Sequence, residues 1–135
     1  MKQFIVSACV ATVLGACQST GSEQTGSRSF SALAGSTIRV DHFRHINPDC
    51  SNIGLARVAA TTPPRGGRVE FKPEGGFPTF PADNPRAHCS SRRVPGVAVY
   101  YRPDRNFSGA DNFSVDIYWV DGVLWSRDYT VQVTR

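Results

Sequence analysis

The segment Tyr101-Arg102-Pro103-Asp104-Arg105-Asn106-Phe107-Ser108-Gly109-Ala110-Asp111-Asn112-Phe113 constrains the fold more than any other part of the chain. Val97, Val99 and Tyr101 alternate on one face of a strand, and Pro103 then withholds the backbone donor that a continued ladder needs. Phe107 offers a ring to tuck under the loop, Gly109 tolerates positive φ, and Asp111 is placed to accept from amides of its own turn. At Phe113 a new strand begins, with Phe113, Val115, Ile117 and Trp119 alternating with Ser114, Asp116 and Tyr118. Strand, corner and strand in this order predict a crossing from one sheet of a β-sandwich to the other.

The spacing Y-x-P-x-x-x-F-x-G-x-D-x-F resembles the signature of bacterial immunoglobulin-like and cadherin-like surface repeats. Two further features match that family: Pro63-Pro64-Arg65-Gly66-Gly67 before it, in the position of a hairpin, and Asp121-Gly122 after it. The resemblance covers residues 55–133 and departs from the family in an insertion between Lys72 and Pro95 that carries a cysteine. It implies an all-β fold, an immunoglobulin/cadherin-like β-sandwich of about seven antiparallel strands. The signature occurs once, whereas the family's repeats run in tandem.

The remaining strands follow from alternation and turn chemistry. Residues 36–43 carry Ile38 and Val40 in phase and predict the first strand. Residues 53–60 predict the second, the Pro63–Gly67 stretch a hairpin, and residues 68–72 the returning strand with Val69 and Phe71 on one face. Asp121-Gly122 predicts a type I′ hairpin. In the last strand Tyr129, Val131 and Val133 share a phase with Trp125 but also with Arg127, a conflict that a bulge near Ser126 or an edge position would resolve.

Before that domain, residues 1–16 read as a signal peptide, with Lys2 ahead of an apolar stretch too short to span a bilayer. Leu14-Gly15-Ala16-Cys17 resembles a lipobox, which implies acylation of Cys17 and a membrane anchor; an ordinary signal peptide is the alternative. Gln18 stands where an aspartate would resemble an inner-membrane retention signal, so the outer membrane is the expected location. Residues 17–32, rich in Ser, Gly, Thr and Gln, read as a flexible tether, and residues 33–135 as the folded domain. Of the remaining cysteines, Cys50 and Cys89 most simply pair in an oxidising compartment; two buried thiols or a zinc site are the alternatives. The formal charge of +4 falls to +3 without Lys2, and the excess is arginine, since Lys72 is then the one lysine left. Such mild basicity could favour an acidic partner or simply reflect base composition.

Residues 73–95, more than twenty residues with five prolines, read as a long loop clipped by Cys89 to the Cys50 turn. Phe77, Phe80, Arg86, His88, Arg92 and Arg93 combine aromatic rings with positive charge there, the chemistry of a binding loop. The other reading is that both rings fold back to cap the sandwich. His42 and His45, three apart, would point to opposite faces on a strand and not easily converge on one ion, an objection that weakens if the segment turns at His45. Asp104, Asp111, Asp116 and Asp121 lack the clustering that calcium wants, and no G-x-S-x-G, H-E-x-x-H or phosphate-cradling glycine loop is present. The sequence therefore leads to the expectation of a non-catalytic, outer-membrane-anchored module without cofactor or metal. It would bind a protein or glycan and not nucleic acid. An accessory subunit of a larger envelope complex is the second reading.

Overall fold

A computed structural model describes residues 24–135, so the expectations for the signal segment and for acylation at Cys17 lie outside the described residues. The chain forms seven strands: β1 (Gln24–Leu33), β2 (Ile38–Phe43), β3 (Arg57–Thr62), β4 (Gly67–Gly76), β5 (Val94–Pro103), β6 (Gly109–Tyr118) and β7 (Leu124–Thr134). Two sheets result, ordered β1-β7-β6-β3 and β2-β5-β4. With β2 to β7 lettered B to G, these are the C-F-G and B-E-D sheets of an immunoglobulin sandwich, with the first strand added beside the last.

Alternation puts the core between the sheets. Phe113, Val115 and Ile117 of β6, Tyr129, Val131 and Val133 of β7, and Val99 and Tyr101 of β5 are almost fully buried. Tyr101, Phe113 and Tyr129 stack in sequence, with ring centroids 5.6 and 4.7 Å apart. Aromatic rings of this size bury more area than any other side chains, so this column dominates the hydrophobic stabilisation. The corner at residues 101–113 does carry the chain between sheets, with Gly109 at φ 108° and Phe107 packed against the core.

Several details differ from expectation. The second half of the expected tether is strand β1, and it pairs with β7 in parallel, so the seven strands are not all antiparallel. Few apolar residues mark it because main-chain bonds hold it; only Phe30 and Ala32 pack inward, Phe30 6.4 Å from the Tyr129 ring. The Pro63–Gly67 stretch is not a hairpin: β3 pairs with β6 and β4 with β5, so this stretch too crosses between sheets. Asp111 accepts from the amides of Arg65 and Gly66 in that crossing, at 2.9 and 3.0 Å, and the amide of Asn112 is the only one near its own turn that it receives. The β6–β7 hairpin is present without a type I′ turn. Gly122 has φ 85° and Asp121 does not share the positive φ that type I′ demands, while Trp119 N–H bonds Val123 O and Gly122 N–H bonds Trp119 O. This is the three-residue loop in which a type I turn ends on a left-handed glycine. Finally, the β6–β7 register runs unbroken from Gly109↔Val133 to Tyr118↔Leu124, so no bulge near Ser126 turns Arg127 away.

The long insertion is shorter than expected, because β4 continues to Gly76. Residues 77–93 hold a 3₁₀ turn at Ala87–Ser91, and Cys89 is joined to Cys50 by a disulfide. Around that bond Ile46, Cys89 and Val94 form a small second core, against which Phe80 packs. Closing a loop of 39 residues stabilises by about 4 kcal/mol in the chain-entropy account.

Candidate ligand-binding cleft

Arg127 follows the inward phase of β7 to the end of the sandwich where the sheets part. Beside it on β1, register-paired Gly26 supplies no side chain; a Cβ there would overlap Nη1 of Arg127. The guanidinium lies 5.5 Å from the ring centre of Trp125, whose other neighbour is Trp119, edge-on at 5.0 Å. Across the gap stands β2. The three contribute to a cleft of about 440 Å³ between β1, β2, β7 and the start of the insertion.

The β2 wall is built by side chains that satisfy one another. Asp41 accepts from the Tyr129 hydroxyl at 2.9 Å and from the amide of His42, and it pairs with Arg28 at 3.6 Å. His42 donates from Nε2 to the carbonyl of Glu74 at 2.9 Å and accepts at Nδ1 from Arg44 at 3.3 Å. Since a carbonyl only accepts and a guanidinium only donates, these two contacts fit a ring with its proton on Nε2. Arg44 also donates to the carbonyl of His42 at 3.0 Å and lies 5.7 Å from the centre of the Phe80 ring. Both outward main-chain groups of His42 are thus engaged by side chains on an edge strand. Partial burial of Arg44 lowers its pKa from the ordinary arginine value, with Asp41 opposing that shift. Arg39 pairs with Glu74 at 3.2 Å, and Glu74 accepts from Tyr100 as well.

A second compartment of about 330 Å³ shares Arg44, Phe80, Trp119 and Trp125 with the first and adds His45, Arg86 and Asp121. His45 sits edge-on to Trp119 at 5.2 Å, with Nε2 3.8 Å from Asp121. The residues lining the compartments include Arg28, Arg39, Arg44, Arg127 and Arg86 and the acids Asp41 and Asp121; of the arginines, Arg28 is paired with Asp41 and Arg39 with Glu74. Among the described residues, neither Arg44 nor Arg127 forms a salt bridge.

The side chains expected to form a binding loop divide. Phe77, 62% exposed, stands at the mouth of the first compartment, and half-buried Phe80 forms the wall between the two. Arg86 reaches the second compartment but spends its Nε on the carbonyl of Ile46 at 2.7 Å. His88, Arg92 and Arg93 are exposed and lie outside the cleft. His88 is 3.8 Å from the Cys89 sulfur, and Arg93 runs along Gly75 into a separate shallow groove. Among the described residues, the group with metal-ligand spacing is Cys50, His88 and Cys89, whose two sulfurs are bonded to each other. Arg28, Arg39, Asp41, Arg44, Trp119, Trp125 and Arg127 were not expected at a site; an arginine on the apolar phase of β7 was the one sign of it.

No protein-family model matches the chain, and neither does any curated protein.

Proposed function

We propose that this chain is an envelope lipoprotein anchored through Cys17, whose single sandwich domain is a non-catalytic module binding an external glycan or protein in the arginine- and tryptophan-lined cleft. The lipobox-like Leu14-Gly15-Ala16-Cys17 supports the anchor, and Gln18 the outer membrane. More than one acyl chain on Cys17 would hold the protein stably, since each buried CH₂ adds about 0.8 kcal/mol. The likeness of the 101–113 segment to bacterial surface repeats supports a binding role.

The observation that carries the reading is Arg127. A charged side chain in the inward phase of a central strand, given room by Gly26 and left without a carboxylate among the described residues, costs stability that a binding role explains. The test is a pull-down from membranes with the tagged mature protein and with its R44Q/R127Q variant. Recovery of a ligand by the first and its loss by the second is the expected result; equal recovery would remove the cleft from the account. Blocking lipoprotein processing, or C17S, should leave an unprocessed precursor, and normal processing of C17S would refute the anchor.

A specific observation also favours an accessory-subunit role. Strand β3 is a sheet edge, and all of its residues except Val58 are exposed. Such an edge can accept a strand from a partner. Crosslinking that captures one stoichiometric partner at β3, unaffected by R44Q/R127Q, would favour this role over the first.

A further inference from the structure

Four buried side-chain nitrogens among the described residues meet no protein acceptor: Arg44 Nε, His45 Nδ1, Trp119 Nε1 and Arg127 Nε. All four belong to residues that line the two joined compartments. Three are obligate donors, and Trp119 is only 8% exposed. A buried donor without a partner is costly, and such groups are few in any native domain, so their concentration in one cleft marks a place built for an acceptor-rich occupant.

We propose that the cleft binds an acidic saccharide, a sugar bearing carboxylate or phosphate. This rests on the reading of the cleft as a binding site and specifies its ligand. Arg44 and Arg127, which pair with no carboxylate among the described residues, select an anion, and arginine's planar fork suits carboxylate and phosphate oxygens. The compartments, about 440 and 330 Å³, have the size of small-ligand pockets, suited to one or two sugar rings. Phe77 at the mouth offers a ring for the C–H side of a sugar. The orphan nitrogens are covered by their neighbours, so small side-chain rotations on binding would turn them to ligand oxygens.

An acidic peptide fits less well. An extended peptide docking beside β2 needs the outward main-chain groups of that edge, and at His42 both are already taken by Asp41 and Arg44. The register irregularity between Arg39 and Asp41 further breaks the edge.

The test is calorimetric titration of the mature protein with four probes. They are a short oligogalacturonate, a phosphorylated sugar, a neutral oligosaccharide of equal length and a polyglutamate peptide. The first, the second or both should bind about tenfold or more tighter than the neutral sugar and the peptide, and these two arms separate carboxylate from phosphate recognition. R127Q, and W119F, which keeps a ring but removes the N–H, should each weaken binding about fivefold or more, while R102Q on the far side of β5 changes it less than about twofold. Circular dichroism confirms that each variant is folded, and R127K should bind at an intermediate level. Neutral sugar binding as tightly, with R127Q still disruptive, would overturn the acidic ligand and leave the cleft as a site. Tighter binding of polyglutamate would likewise overturn the saccharide in favour of a peptide. Binding of no probe, or equal loss in R102Q and R127Q, would overturn both the ligand and the cleft.

Discussion

The Tyr101 hydroxyl donates to Oδ2 of Asp111 at 2.7 Å, and so ties the end of β5 in one sheet to the start of β6 in the other. Asp111 is the one buried charged residue of the described core, 2% exposed, and it also receives the amides of Arg65 and Gly66 from the β3–β4 crossing between sheets. One carboxylate therefore fastens two of the four places where the described strands change layer. Tyr101→Phe removes one donor and leaves three amides, so it should cost about 1–2 kcal/mol. Asp111→Ala orphans all four and should cost about 3 kcal/mol or more. Urea denaturation measures both, and a Tyr101→Phe loss as large as that of Asp111→Ala would contradict this apportioning.

Two glycines separate packing from function. A Cβ at Gly66 would overlap the Phe107 ring, which is wedged against the core. Gly66→Ala should therefore destabilise by about 1–3 kcal/mol. A Cβ at Gly26 meets only the mobile end of Arg127, so Gly26→Ala should shift stability by less than about 1 kcal/mol while displacing the guanidinium and weakening ligand capture. Thermal melts and pull-downs on the two variants check the contrast.

Removing the disulfide by Cys50→Ser and Cys89→Ser together should lower stability by about 4 kcal/mol. The same change loosens the small core under Phe80, the wall between the compartments. Binding should weaken under reducing conditions, measured by titration with and without dithiothreitol; unchanged affinity would show that the 77–93 segment holds its shape alone.

Stability should fall at both ends of the pH scale. Glu74 is held below its ordinary 4.5, chiefly by the hydrogen bond from Tyr100 and then by Arg39. Glu70 is lowered by Lys72, and Asp49 by Ser51. Carboxyl groups lowered in the folded state contribute above their unfolded pKa, and that contribution disappears as pH falls through the folded value. Decline should therefore set in below about pH 4.5, and Glu74→Gln should flatten it. Burial pushes the phenols of Tyr101 and Tyr129 well above their ordinary 10.0, each reinforced by a neighbouring carboxylate. The unfolded chain then releases protons that the folded one retains, and stability falls as pH rises past 10. Urea midpoints across pH, in wild type and Glu74→Gln, read both limbs.

The sandwich was legible because its signals are local. Alternation in residues 113–119 and 129–133, Pro103, Gly109 and the Asp121-Gly122 loop each act over a few residues and agree. Strand β1 was not, because Gln24 to Ser29 carry no apolar phase and owe their order to main-chain pairing with β7, a partner about one hundred residues away. The Pro63–Gly67 stretch looked like a hairpin because turn chemistry does not reveal which sheet the next strand joins. The cleft was half visible. Phe77 and Phe80 stood out as rings in a basic loop, but Arg28, Asp41 and Arg44 read as ordinary polar positions until β2 and β7 are placed face to face. Arg127 announced itself as a misfit, and bulge or solvent seemed sufficient reason because depth between the sheets is not written in alternation.

The most direct test of the cleft is a ¹⁵N–¹H spectrum of the labelled mature protein as saccharide from an envelope extract is added. The Nε1–H of Trp119 and the Nε–H groups of Arg44 and Arg127 should shift together at the lowest concentrations, with the amides of β3 unmoved. Shifts confined to residues 57–62, or no shift at Trp119 and Arg127 while ligand binds, would contradict a function seated in the cleft.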